Sequence, residues 1–510
     1  MKERVLNLAA LLAFCFFTCE MHAQITPHEA TTLMYRGINL GNTLDPPTEG
    51  AWNNPPAEEY YFDDYVSAGF TSVRIPITWN EHTSVEFPYK IDSAWLARVE
   101  EIVDWGLSRN LFITINAHHE DWLKENYSDT NIERFDSIWS QIATRFKNKG
   151  ERLIFEMLNE PRTLSAGLTL GQLNGLNKRI LSIIRKTNPT RLVIFSGHDW
   201  ANSSHLLAAD IPDTNDKYLI GYYHSYDPYP FGLEGPGTYG SVADINATKT
   251  KFDQVSAWSK THNIPVIISE FGATVKCEYN SRMFYYATVV EQALNHNVAF
   301  NAWDDGGNFG IYQRQSRKWN EIKDILINFS AKNPSSLKLS NNNGDSIRIS
   351  WQNRTASNDS IFVERGLSPT NFSKIATLGA DATVYNDINV EYGKTYYYRI
   401  TAFYADSTDL LSYPQKITAT HTSGLANNEP AKIASVFPNP AFRTISVRLN
   451  EGAIIDHLEV LGTDGRVFKE LSPKDIQASI DIDYLAAGIY FIKVYSEGAH
   501  YQASFLKQQE

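Results

Sequence analysis

The chain is poor in cysteine, with three in 510 residues, at positions 15, 19 and 277. Cys15 and Cys19 fall in an apolar leader, so the chain beyond it keeps Cys277 alone and no intramolecular disulfide can form. A fold without staples must rest on its core, and 43% hydrophobic against 20% charged residues is enough to build one. Runs of Lys and Arg are absent and the net charge is −12, which argues against a nucleic-acid partner. Beyond the leader no apolar run is long enough to cross a bilayer, so the mature chain is expected to carry no transmembrane segment. A glycine-rich phosphate turn after the first strand-like run is also missing, which counts against a doubly wound nucleotide-binding sheet.

What is present begins with the leader. Lys2 and Arg4 precede the apolar stretch Leu8–Phe17, and Met21-His22-Ala23 offers a small residue before Gln24. This predicts an export signal over residues 1–23. Lipid attachment at Cys19 is the alternative, and Phe16-Phe17-Thr18 fits it poorly.

From residue 24 to 330, short apolar runs alternate with amphipathic stretches. The runs are Met34–Leu40, Thr71–Ile75, Leu111–Ala117, Leu153–Asn159, Leu192–Ser196, Tyr218–His224, Pro265–Glu270 and Ala299–Asp304. Continuous apolar runs suit parallel strands buried on both faces. Between them, Ser93–Trp105 and Asn174–Thr187 repeat apolar residues at three- and four-residue steps. Eight such units predict an α/β fold, a (β/α)8 TIM barrel. Residues 333–421 change to period-two alternation and predict a β-sandwich. Residues 422–430 read as a linker, and 431–510 as a second small all-β sandwich.

In a (β/α)8 barrel the active residues sit at C-terminal strand ends. Those ends carry Asn39, Asn42, Arg74, His118, His119, Asn159, Glu160, His198, His224, Tyr226, Glu270, Trp303 and Asp304. Glu160 and Glu270 each close an apolar run. Two carboxyls held across a cleft are the machinery of glycosidic bond cleavage, one as acid and the other as nucleophile or base. His118-His119-Glu120-Asp121 also admits a metal-dependent hydrolase, the weaker reading. Trp52, Trp79, Trp122 and Trp200 fall in loops after strands, where sugar contact and packing are equally open.

The segments Arg36-Gly37-Ile38-Asn39-Leu40-Gly41-Asn42, Val73-Arg74-Ile75-Pro76, Asn116-Ala117-His118-His119, Asn159-Glu160-Pro161, His224-Ser225-Tyr226 and Ser269-Glu270-Phe271-Gly272 occur in that order. With them the barrel resembles the cellulase-type members of glycoside hydrolase family 5. The resemblance implies Glu160 as general acid/base and Glu270 as nucleophile, supported by Arg74, Asn159, His224 and Tyr226. It implies substrate contacts at His118, His119, Trp303 and Asn42, with no metal and no cofactor. Burial and the Glu270 charge are expected to raise the Glu160 carboxyl. The implied activity is a retaining β-glycanase, foremost an endo-β-1,4-glucanase, with β-mannan, xyloglucan or mixed-linkage glucan as alternative β-linked polysaccharides. A surface polysaccharide-binding barrel is the non-enzymatic alternative.

Trp351 and Tyr396-Tyr397-Tyr398-Arg399-Ile400-Thr401-Ala402 resemble a fibronectin type III domain. Val436-Phe437-Pro438-Asn439-Pro440, Leu458–Val467 and Leu485–Val494 resemble the C-terminal sorting domain of type IX secretion substrates. That tail implies the type IX machinery as a partner and a secreted or outer-surface location. Residues 24–330 are expected to fold and act without the rest.

Overall fold

The computed structural model describes residues 24–162, 168–342, 346–355, 357–420, 432–449, 453–464, 466–496 and 499–509. The expected leader over 1–23 and linker over 422–430 lie outside them. The chain forms two compact units, one of residues to Ser340 with Ser346–Ala419, the other of Asn341–Asp345 with Thr420–Glu510.

Eight parallel strands close a barrel in chain order. They are β1 (Arg36–Asn39), β2 (Ser72–Ile75), β3 (Phe112–Asn116), β4 (Leu153–Glu156), β5 (Val193–Phe195), β6 (Leu219–Ser225), β7 (Val266–Phe271) and β8 (Ala299–Ala302). Each lies within a residue of an expected run. Ile38 of β1 pairs with Val73 of β2 on one side and with Ala302 of β8 on the other, which closes the ring. Every strand residue but Ser225 is buried, because helices cover the outside and side chains fill the inside. The helix Ser93–Ser108 starts where Asp92 accepts from the N–H groups of Ala94 and Trp95, and it buries Trp95, Val99, Ile102, Val103 and Gly106. The helix Leu170–Arg185 opens on a capping box between Thr169 and Gln172 and buries Leu173, Leu176, Ile180 and Ile184.

The first unit continues into two facing sheets. Ser335–Asn342, Ser346–Gln352 and Val384–Asp387 make one; Asn371–Gly379, Ser360–Ser368, Thr395–Phe403, Leu410–Leu411 and Gln415–Thr418 make the other. Ile347, Ile349 and Trp351 share a buried cluster with Ile361, Val363, Tyr398 and Ile400. This sandwich packs on the barrel. Tyr413 lies with its ring 5.8 Å from Phe284 and 5.7 Å from Phe329, and is 2% exposed. Asn280 exchanges two hydrogen bonds with the backbone of Lys416, at 3.0 and 2.8 Å. Arg354 pairs with Glu291.

The second unit is a seven-stranded all-β unit whose core alternates along each strand, as at Ile445, Val447 and Leu449 or Tyr490, Ile492 and Val494. Among the described residues no helix is long and apolar enough to cross a membrane.

Candidate active site

A cleft of about 780 Å³ opens at the C-terminal ends of the barrel strands. Asn42, His118, His119, Glu160, His224, Tyr226, Glu270 and Trp303 line it. Arg74 and Asn159 lie directly beneath, each 2% exposed or less.

Arg74, on β2, is the hub. Its Nε and Nη2 donate to Glu156 at 2.7 and 2.6 Å, its Nη1 to Oε1 of Glu270 at 2.6 Å, and its Nη2 to Oδ1 of Asn159 at 2.7 Å. Burial works against the guanidinium charge, but Glu156 and Glu270 outweigh it and raise its pKa. With Oδ1 of Asn159 taken, its Nδ2 faces Nε2 of His118 at 3.4 Å. Burial and neighbouring His119 hold His118 well below the usual imidazole value, so it is neutral near pH 7. The ring of His118 lies parallel to Trp303, with centroids 6.1 Å apart. Trp303 fits there because position 41 is glycine: a Cβ would come within 2.9 Å of its indole.

Glu270 sits in β7 where the register slips. Tyr223 pairs with Ile268 and His224 with Glu270, so Ser269 is an extra residue in the strand. Oε2 of Glu270 accepts from the Tyr226 hydroxyl at 2.8 Å, and burial keeps that phenol protonated. Glu160 is held differently. The strand β4 ends at Glu156, and Glu160 lies four residues on, with φ of 43° in the left-handed region. The Tyr222 hydroxyl clamps that turn, donating to the carbonyl of Leu158 at 2.5 Å and accepting from the Glu160 N–H at 3.2 Å. Such a backbone costs about 1–3 kcal/mol and persists where the surroundings enforce it.

His224 joins the two carboxyls. Its Nδ1 is 3.0 Å from Oε1 of Glu160 and 3.6 Å from Oε2 of Glu270. An oxygen of each glutamate and a ring nitrogen of His224 all lie within 4.8 Å of one another. Burial pushes Glu270 above its ordinary value, against the pull of His224 and Arg74. Burial, the largest single influence, pushes Glu160 the same way, but the hydrogen bond and electrostatic pull of His224, together with nearby Lys124 and Arg162, outweigh it and leave this carboxyl below its ordinary value. The expectation of a raised Glu160 is therefore not met, and His224 with the nearby cations Lys124 and Arg162 is the reason. The Glu160 side chain is still 24% exposed against 5% for Glu270, so water also supports its charge.

Not every strand-end residue joins the cleft. Asn39 lies below it, donating to the carbonyls of Ser269 and Ala302. His198 sits 2.6 Å from the carbonyl of Leu168, and Asp304 accepts from the N–H groups of Gly306 and Ile311. Trp79 is fully buried and donates to the carbonyl of Asn116, and Trp122 donates to Glu120. Trp52 and Trp200, 43% and 50% exposed, do line the cleft. Glu120 spends both oxygens on Trp79 and Trp122, and Asp121 faces Arg162, so the run His118–Asp121 does not converge as a ligand set. Donor atoms of Asp45, His118 and His119 do gather within 4.8 Å. Glu156, Asp45, Ser269 and Tyr222 escaped the sequence reading. A carboxylate inside an apolar strand was the available signal for Glu156.

The sequence model described as Cellulase (glycosyl hydrolase family 5) matches residues 32–308. The one described as Secretion system C-terminal sorting domain matches 435–508. Endoglucanase H of Acetivibrio thermocellus is 46% identical over 311 residues, 60% of this chain and 34% of that protein. The chain thus spans about a third of that relative. Endoglucanase B of Ruminococcus albus is 32% identical over 330 residues, 59% of this chain and 80% of that protein. Among solved structures, a tri-modular GH5 (subfamily 4) endo-β-1,4-glucanase from Bacillus licheniformis aligns over 95% of this chain and all of that one, with 26% identity and a TM-score of 0.65. Cel5A of Thermotoga maritima, solved with mannotriose, aligns over 59% of this chain and 99% of its own, with 32% identity and a TM-score of 0.56.

Proposed function

The chain belongs to glycosyl hydrolase family 5, and we propose on that footing that it is a secreted retaining endo-β-1,4-glucanase, with Glu160 as acid/base and Glu270 as nucleophile. The observation that carries this is the meeting of the two carboxyls around His224, an oxygen of each lying within 4.8 Å of the other. Separations near 5–5.5 Å belong to retaining glycosidases, and the wider gap of inverting enzymes leaves room for a water.

The reaction follows from the contacts. Glu270 attacks the anomeric carbon while Glu160 gives its proton to the departing glycosidic oxygen, leaving a glycosyl ester on Glu270. Glu160 then takes a proton from water, whose oxygen displaces Glu270 and restores the β configuration. Arg74 and Tyr226, at 2.6 and 2.8 Å, hold Glu270 as a carboxylate aimed upward. A sugar filling the cleft displaces the water around Glu160, and that desolvation moves its carboxyl towards the acid it must be. Arg74 fixes the amide of Asn159 through Oδ1, which leaves Nδ2, 3.4 Å from His118, as the end placed to meet the sugar 2-hydroxyl. Trp303 floors the reacting sugar, with His118 beside it. Asn42, His119 and Trp52 extend the cleft on one side, and Trp200 and Tyr229 offer further exposed rings.

A second polymer has an observation in its favour, since one solved relative was captured with mannotriose. The C-terminal match supports export through the type IX machinery, to the medium or the outer surface. Reducing-sugar release on carboxymethylcellulose, mixed-linkage β-glucan, xyloglucan and glucomannan tests the reading, with Glu270→Ala as the blank. Turnover on a β-1,4-glucan that the variant abolishes is expected. Silence on all four from folded protein would sink the glycanase and favour a binding barrel.

A further inference from the structure

His224 meets both glutamates with the same ring nitrogen, Nδ1, at 3.0 Å from Glu160 and 3.6 Å from Glu270. An ionised carboxylate only accepts hydrogen bonds, so a nitrogen facing two of them is best served by carrying a proton. A neutral imidazole with its proton on Nδ1 presents a bare lone pair at Nε2. That atom is buried, and a buried lone pair is costly without a donor. The hydroxyl of Ser269 lies 3.0 Å from it. Ser269 is itself 1% exposed.

Its position is built rather than incidental. Successive residues of a regular strand point to opposite faces, so Ser269 and Glu270 would not both reach one imidazole. The register slip in β7 makes Ser269 the extra residue, and both side chains then meet His224. Asn39 pins the slip by donating to the carbonyl of Ser269 at 3.0 Å.

We propose that Ser269 is a positioning residue whose hydroxyl donates to Nε2 of His224 and locks the ring as the Nδ1–H tautomer. Nδ1–H then serves Oε1 of Glu160 throughout, leaving Oε2 as the oxygen that gives and regains the catalytic proton. The second half rests on the acid/base reading of Glu160. In the transition state Glu160 is losing its proton, and Nδ1–H steadies the growing charge. The groups facing His224 are Glu160 after β4, Glu270 on β7 and Tyr222 on its own strand, with Arg74 behind Glu270 and His118 across the floor. None of these meets Nε2; among the described residues the Ser269 hydroxyl does.

The test compares wild-type full chain with Ser269→Ala and Ser269→Thr. In protein carrying ¹⁵N-labelled histidine, the His224 resonances are identified by their loss in His224→Asn. The wild type is expected to show a protonated Nδ1 and a bare Nε2, and Ser269→Ala a mixture of tautomers. On polymer, Ser269→Ala is expected to lose on the order of tenfold in kcat at similar KM. It should lose less on an aryl cellobioside with a good leaving group. Its alkaline limb of kcat/KM should move to higher pH, because a carboxylate deprived of a donor holds its proton longer. Ser269→Thr, which keeps the hydroxyl, should restore all three readouts. A wild-type Nε2 that carries the proton overturns the proposal, as does a folded Ser269→Ala with unchanged tautomer, pH profile and kcat. Wild-type inactivity on every glycan would count instead against the glycanase reading, and the tautomer measurement would then decide the lock on its own.

Discussion

Arg74 and Glu156 form a two-pronged ion pair sealed from solvent, with both side chains 0% exposed and bonds of 2.7 and 2.6 Å. The pair stands between β2 and β4, and its guanidinium continues to Glu270. The pair thereby fixes the guanidinium that donates to Glu270. Removing one partner of a buried pair leaves the other uncompensated, at a cost of roughly 3–5 kcal/mol. Glu156→Gln, which keeps the shape, is therefore expected to lower stability by about 3 kcal/mol. It should also lower kcat, because Arg74 would redistribute towards Glu270. Denaturant melts and steady-state kinetics on the same preparation check this. A variant as stable and as active as wild type would show the pair to be inert.

Glu160→Ala is expected to lose roughly 10²- to 10⁴-fold on polymer, where the leaving group needs a proton. The loss should be far smaller in the glycosylation step of an activated aryl glycoside. Equal losses on both substrates would remove Glu160 from the acid role.

Asp45 gives a prediction in pH. It lines the cleft at 1% exposure, and burial pushes its carboxyl up to about 7, against the hydrogen bonds it accepts from backbone N–H groups. The folded state therefore binds a proton that the unfolded chain, with an ordinary carboxyl near 4, has already lost. Between about pH 4 and pH 7 the native state holds more protons, so stability falls as pH rises through that window. Asp45→Asn carries no charge to bury. Its stability relative to wild type should grow across the window by an amount on the order of a few kcal/mol. A difference that is flat with pH would mean that Asp45 ionises without strain.

The sandwich bears on the barrel's stability. Phe329 is 3% exposed and packs on Tyr413, so ending the chain near residue 330 uncovers it together with Phe284 and Asn280. Residues 24–330 are expected to retain turnover, since every cleft residue is present, but to melt at least about 2 °C below residues 24–419. Equal melting temperatures would mean that the contact adds nothing. Loss of fold in the shorter piece would make the sandwich part of the barrel's core.

Much of the barrel was legible because parallel strands buried on both faces leave continuous apolar runs, and β1 to β8 fall on them. The cleft residues were legible because strand ends are the one place where such a barrel displays polar groups. The sequence could not show that Glu160 stands beyond its strand, because the left-handed turn at φ 43° depends on the Tyr222 hydroxyl from β6. Nor could it separate Trp79 from Trp200. Both follow a strand, yet one reaches inward to the carbonyl of Asn116 while the other stands in the cleft. Ser269 escaped for a related reason, since alternation along a strand sends it away from Glu270 and only the slipped register brings both to His224.

Double displacement by Glu270, with Glu160 as its acid/base, fixes which anomer leaves first. It is tested most directly by the anomer released first from a soluble cello-oligosaccharide, followed by ¹H NMR before mutarotation. The β-anomer is expected first, with the α-anomer growing in only as the product equilibrates. An α-anomer at the outset would contradict it, because that product requires a water between two more distant carboxyls.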